Sequence, residues 1–393
     1  MHSFQFYVPT EIVFGAGSVQ KTAELVKKHG AARVLLVYGG GSAKRSGLID
    51  SLCAQLKDAG VAVQTLGGVH PNPRLGFARE GVQQALQMRA ELILAVGGGS
   101  VIDTCNAIAH GAANPGTDHW EFWKKRAPLT KTMPVGVVLT IPAAGSETSD
   151  SAVLTDEVAG EKRGLNTDFN RPVFAVMDPA LAATLPPRQA ACGVTDILMH
   201  TMERYFNPVT DNDLTDELAE ALLRVVVRHG RAVVANPGDL AAMSEIMWAG
   251  SLSHNGLTGL GGNKDFATHQ LGHALSEKFD TTHGESLSAM WGSWARFVLP
   301  ENPARFARFA KNVWGLNGTD ERALAEAGIR AAEDYFASLG MPLSLGTLAC
   351  GVQDEAGLDD LAQRCSYRQT RQIGTFRKLG YEEILSIYRA ANH

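Results

Sequence analysis

The first 185 residues alternate short, unbroken apolar runs with segments of helical period. Residues 32–38 (ARVLLVY), 61–66 (VAVQTL), 91–96 (ELILAV), 135–140 (VGVVLT) and 173–178 (VFAVMD) read as strands with little polar interruption. A strand that is apolar on both faces is covered on both faces, as in a parallel sheet flanked by helices. This half is therefore expected to be a doubly wound α/β domain that binds its ligand at the carboxyl ends of the strands. After residues 184–189 (TLPPRQ) the texture changes. Amphipathic patterns of helical length run over 190–206, 212–229, 239–258, 264–278 and 284–298, and β-rich runs become scarce. The second half is expected to be all-α. The Pro-Pro pair at 186–187 marks the boundary, giving domains over 1–187 and 188–393.

Composition narrows the field. The 393 residues are 45% hydrophobic and 20% charged, with mean hydropathy near zero and a net charge of −5. Two domains fit this length at roughly 100–200 residues each. No basic field points to nucleic acid or an anionic membrane surface, and no run of about 18 apolar residues suggests a membrane span. The start, MHSFQFYVPTEIVFGAG, lacks the basic and apolar regions of a secretory signal. Five widely spaced cysteines without a CxxC pair fit reduced thiols in the cytoplasm.

Candidate chemistry begins with two glycine loops. Gly97-Gly98-Gly99-Ser100 lies between the strand at 91–96 and a helix starting near Val101. Glycines let the backbone approach a phosphate, and the helix start offers free N–H groups and a positive dipole end. Gly39-Gly40-Gly41-Ser42 also follows a strand. An acidic residue near the end of that strand would bind the ribose hydroxyls of NAD. None is present, and Ser42, Lys44 and Arg45 leave donors for a 2′-phosphate, favouring NADP(H) over NAD(H). Neither loop is a GxGxxG, so the doubly wound domain is Rossmann-like without the usual fingerprint.

The helical half holds a second constellation. Asp196 and His200 are four residues apart, as are His269 and His273, so each pair shares one helix face. His283 follows beside Gly284, where one helix is expected to end and the next to begin. One carboxylate and several neutral imidazoles suit a divalent ion such as Zn²⁺ or Fe²⁺. Spacing leaves His269 and His273 as equivalent candidates, with His254 a further one.

With these motifs in view, the sequence resembles the iron-containing (group III) alcohol dehydrogenases. The resemblance runs through PTEIVFGAGSV at the start, PNPR (71–74), GGGSVID (97–103), TIPAAGSETS (140–149), FAVMDP (174–179), LPPRQAACGVTDILMH (185–200), the three-histidine segment and LGYEEILSIYRAA near the end. YGGGSAKRSG (38–47) and DHWEFW (118–123) look most like the NADPH-dependent aldehyde reductase or butanol dehydrogenase branch. The resemblance implies a dehydroquinate synthase-like architecture and a cytoplasmic homodimer or higher homo-oligomer. It implies ligation of one Fe²⁺ or Zn²⁺ by Asp196, His200, His269 and His283, with His273 beside the nicotinamide. It places Gly98, Gly99 and Ser100 at the pyrophosphate, and Gly39, Gly40 and Ser42 around the 2′-phosphate. Asp103 falls in the cofactor motif, and Thr140, Ser149 and Lys162 flank the dinucleotide. Two departures stand out. Cys105-Asn106 replaces the small residue and lysine common after this glycine motif, and His70 stands where an acidic residue often precedes PNP.

The implied reaction interconverts aldehydes and primary alcohols. The metal polarises the carbonyl oxygen and the nicotinamide delivers hydride; His273 is the candidate proton relay. Trp120, Trp123 and Trp248 are candidates for an apolar substrate wall, with core packing the competing role. A polyol or glycerol-type dehydrogenase of the same superfamily is the alternative. A dehydroquinate synthase-like lyase is disfavoured, because the segment around Lys264 has no cluster of arginines for a phosphorylated acid.

Overall fold

The computed structural model describes residues 1–393. Its contacts divide the chain into two compact units, Tyr7–Leu185 and Pro186–His393, with Met1–Phe6 belonging to the second. The terminal segment is joined there by a hydrogen bond between His2 Nε2 and Asp211 Oδ1 at 2.6 Å.

The first unit is built on six parallel strands: β1 (Glu11–Phe14), β2 (Arg33–Gly39), β3 (Ala62–Val69), β4 (Leu92–Gly97), β5 (Val135–Leu139) and β8 (Phe174–Met177). They lie in the order β1-β8-β5-β4-β2-β3. Every residue of β4, β5 and β8 is buried, which is why these strands read as unbroken apolar runs. Edge strand β1 is four residues long and half-exposed. It carries no such signature, and the periodicity gives no strand there. The antiparallel hairpin β6 (Ser151–Asp156) and β7 (Glu161–Asn166) is likewise absent from the sequence reading, because β7 is mostly polar.

The strand order fixes where a ligand can sit. From β2 the chain moves outward to β3, then returns to place β4 on the opposite side of β2. β2 and β4 run side by side, with Tyr38 paired to Val96. Their carboxyl ends therefore open together at the point where the winding reverses, the usual ligand crevice of such sheets. Both glycine loops begin there.

The second unit is helical. Pro187 opens the helix Pro187–Tyr205, where its missing N–H costs nothing. Residues 190–205 of that helix are all buried, so it is the central element of the unit. Aspartate or asparagine side chains cap several others: Asp239 receives the Ala242 N–H, Asn302 that of Arg305 and Asp320 that of Ala323. The expected helix over 264–278 begins only at Ala267. Asp265 takes the N–H groups of Ala267, Thr375 and Phe376 at 2.7–3.0 Å, and Phe266 adopts a left-handed φ of 55°. A turn at Asn255-Gly256 ends the helix Leu240–His254 before the expected residue 258.

Two buried histidines in the α/β unit set a pH dependence. His110 Nε2 donates to Asn170 Oδ1 at 2.8 Å, and its Nδ1 faces Thr132 Oγ1 at 2.7 Å. Burial pushes both His110 and His119 down to about 4. Between about pH 6.5 and 4 the unfolded chain binds protons that the folded chain refuses, so stability falls as pH drops through that window. A loss of about 1–2 kcal/mol per histidine is expected between pH 7 and 5, measured by urea unfolding. Equal stability at the two values would contradict it. The slope should persist when Asp196 in the other unit is replaced by alanine.

Candidate functional site

In the helical unit, the helix Pro187–Tyr205 places Asp196 and His200 on one face, one turn apart. His269 comes from the first turn of the helix Ala267–Phe279, and His283 is the first residue of the helix His283–Val298. Asp196, His200 and His269 offer ligand atoms that all lie within 4.8 Å of one another, and all three residues are buried. The Nε2 atoms of His200, His269 and His283 lie 3.3, 3.7 and 3.6 Å from Asp196 Oδ1.

These separations test whether a metal fits. A tetrahedral ion with bonds of about 2.1 Å has ligand–ligand edges of about 3.4 Å. Asp196 Oδ1 and His269 Nε2 are buried and make no hydrogen bond within the protein. Such groups are costly to bury unless something binds them. Burial, reinforced by neighbouring His254 and His269, holds the His200 imidazole well below its usual pKa, so it stays in the neutral form a ligand requires. Cys192, one turn before Asp196, is pushed up to about 12 chiefly by burial and remains a thiol. The donor set fits one hard-to-borderline divalent cation. His283 is the most exposed of the four, at 29% of its side chain.

His273 and His254 lie close by. His273 is half-buried one turn beyond His269, its ring centroid 6.4 Å from His269 and 5.6 Å from His283. Of the two candidates that spacing left open, His269 is the one whose ring nitrogen groups with Asp196 and His200. His254 packs against His200, the rings tilted by 35° with centroids 3.9 Å apart.

Four neighbours of the cluster escaped the sequence reading. Glu203 lies two turns from Asp196 on the same helix and contacts His269 Nδ1. The seven-residue spacing was its available signal. Arg204 donates from Nη1 to the His200 carbonyl at 2.7 Å and lies over the Phe266 ring. Asp265 and Phe266 shape the start of the ligand helix through backbone geometry that no residue pattern announces.

In the α/β unit, Gly98 precedes the helix Gly99–Ala113, whose start has no side-chain cap. A Cβ on Gly98 would come within 2.9 Å of Ile141 Cβ, and one on Gly99 within 3.2 Å of Ala144 Cβ. The bare, uncapped start of a 15-residue helix suits an anionic pyrophosphate. Ser100 stands in its first turn, and Thr140 N–H binds the Gly97 carbonyl at 3.0 Å. Gly39 ends β2, and Gly40 and Gly41 lead into a short helix at Ser42–Arg45. The Arg45 guanidinium folds back to 3.1 Å from where a Gly41 Cβ would be.

Ser149 is buried and exchanges hydrogen bonds with the backbone of Ser151. Lys162, on β7 and also buried, donates to Asn72 Oδ1 at 2.9 Å. Asp103 Oδ2 accepts the Val153 N–H at 3.0 Å, fastening the helix Gly99–Ala113 to the hairpin. Asn106 is fully buried and its amide has no hydrogen-bond partner within the protein, so this departure lies in the interior. Trp120 and Trp123 are core residues, packed with Leu75, Phe122 and Leu154, while Trp248 is 39% exposed.

A unit shaped for a dinucleotide and a unit shaped for a Lewis-acidic ion together define metal-assisted, nicotinamide-dependent redox chemistry. Residues 9–179 match the iron-containing alcohol dehydrogenase family, and residues 189–392 match the C-terminal domain of the Fe-containing alcohol dehydrogenase family. The chain is 36% identical over 391 residues to NADH-dependent butanol dehydrogenase A of Clostridium acetobutylicum, covering 99% of both chains. It is 33% identical over 394 residues to the NADPH-dependent aldehyde reductase YqhD of Escherichia coli, covering 100% of both. The crystal structure of NADH-dependent butanol dehydrogenase A from Thermotoga maritima superimposes with a TM-score of 0.95 at 32% identity, covering 100% of this chain and 99% of that one. The chain belongs to the iron-containing alcohol dehydrogenase family. Its chemistry is that of an aldehyde/alcohol oxidoreductase using a divalent metal and a nicotinamide cofactor. No helix is long and apolar enough to cross a membrane, and all five cysteines are free.

Proposed function

We propose that this enzyme reduces a broad range of small aldehydes to primary alcohols, and that it prefers NADP(H). The observation that carries the reaction is the convergence of three imidazoles on one buried carboxylate oxygen. When bound, the ion supplies Lewis acidity toward a carbonyl oxygen, and the nicotinamide supplies hydride. Asp196, His200, His269 and His283 are assigned to hold the ion. His273 is assigned to exchange the proton that accompanies reduction, because it is half-buried and next to His283. Gly98, Gly99 and Ser100 are assigned to the pyrophosphate, with Thr140, Ser149 and Lys162 flanking the dinucleotide. Asp103 acts through the position of the hairpin. The chain is further proposed to work as a homo-oligomer.

The cofactor preference is supported by the end of β2. Gly39 and Gly40 present no carboxylate, and Ser42, Lys44 and Arg45 follow at once. The relatives are named with both cofactors, so this loop is the place to test the preference. A Cβ on Gly40 meets nothing within 4 Å, so Gly40→Asp introduces charge without a clash. Steady-state reduction of butyraldehyde should be faster with NADPH than with NADH in the natural enzyme. In Gly40→Asp that ratio should fall at least tenfold, a change of about 1.4 kcal/mol, because a carboxylate repels a 2′-phosphate. An unchanged ratio would show that the loop does not reach the ribose.

A further inference from the structure

We propose that Glu203 is a positioning residue that fixes the tautomer of His269 and so makes its Nε2 available to the metal. The inference rests on the reading of Asp196, His200, His269 and His283 as the metal ligands.

Glu203 is completely buried on the helix Pro187–Tyr205. One of its oxygens accepts the backbone N–H of Thr268 at 2.6 Å and that of His269 at 3.2 Å. The other contacts His269 Nδ1. Its own carbonyl accepts the Asp265 N–H at 2.9 Å. These bonds do two jobs. The helix Ala267–Phe279 starts from Phe266 in a left-handed conformation without a side-chain cap of its own, so Glu203 satisfies its first-turn donors from another helix. The same carboxylate also decides the protonation pattern of the ring. One Glu203 oxygen already accepts two backbone N–H groups and the other meets the ring at Nδ1 as a further acceptor, which puts the proton on Nδ1 and the lone pair on Nε2. His269 Nε2 is the atom that lies 3.7 Å from Asp196 Oδ1. An outer carboxylate that orients a ligating imidazole commonly carries 10–100-fold of metal affinity.

Glutamine separates these two jobs. In Glu203→Gln the amide oxygen can still accept the Thr268 and His269 N–H groups, keeping the helix start. The NH₂ then faces Nδ1. Two donors repel, or the ring shifts its proton to Nε2 and loses that ligand. We expect folded Glu203→Gln to bind Co²⁺ about 10–100-fold more weakly than the natural enzyme by chelator competition, with an altered visible spectrum of the cobalt site. Natural affinity and an unchanged spectrum would overturn the proposal while leaving the ligand assignment standing. Failure of the natural enzyme to bind Co²⁺ at all would overturn the ligand assignment and the proposal with it. Should the variant not fold, ¹⁵N-histidine spectra of the metal-free natural enzyme give the same answer, with the His269 signal identified by its loss in His269→Gln. A proton on Nδ1 is expected, and one on Nε2 would overturn the proposal.

Discussion

Replacing Asp196 with alanine is expected to abolish stoichiometric metal binding and nearly all turnover while the fold survives. Three imidazoles face this single carboxylate oxygen, and Asp196 Oδ1 makes no hydrogen bond that its removal would break. The substitution takes the only carboxylate from the proposed ligand set, leaving three imidazoles to hold a divalent cation. Loss of Lewis acidity worth several kcal/mol corresponds to a fall in kcat of roughly 10³-fold or more. Metal content by mass spectrometry, circular dichroism and aldehyde-dependent NADPH oxidation measure the three parts. One equivalent of metal retained by Asp196→Ala would remove this residue from the ligand set.

His273→Ala should give the complementary result. His273 stands one turn from His269, with the ring centroids 6.4 Å apart. The variant is expected to keep its metal and lose roughly 10²–10⁴-fold in kcat, the range of a positioned acid–base group. Its KM for aldehyde should move less. Loss of metal would exchange the roles of His269 and His273, and natural kcat would place the proton transfer elsewhere.

What the sequence announced, and what it did not, follows from how each feature is built. The central strands were legible because burial on both faces demands apolar residues at every position of β4, β5 and β8. Edge strand β1 and the hairpin escaped because half-exposed strands tolerate polar side chains. Asp196 and His200 were legible as a pair because ligands on one helix face must repeat at the helical period. Their partners lie on two other helices, and periodicity carries nothing about which imidazole turns inward. The placement of His269 goes with Phe266 in its left-handed conformation and with Glu203 on another helix contacting the ring, both features of tertiary structure. The tryptophans show the converse. Trp120 and Trp123 looked equally suited to a substrate wall or a core, and packing decided for the core.

The central claim is that one divalent ion at the Asp196–His283 cluster is required for aldehyde reduction. Its most direct test is butyraldehyde reduction by chelator-stripped enzyme, titrated with Fe²⁺ or Zn²⁺ while NADPH oxidation and bound metal are followed together. Activity that is absent at the start and rises in proportion to bound metal, saturating near one ion per chain, is the expected result. Full activity in the stripped enzyme, or metal uptake without any turnover, would contradict it.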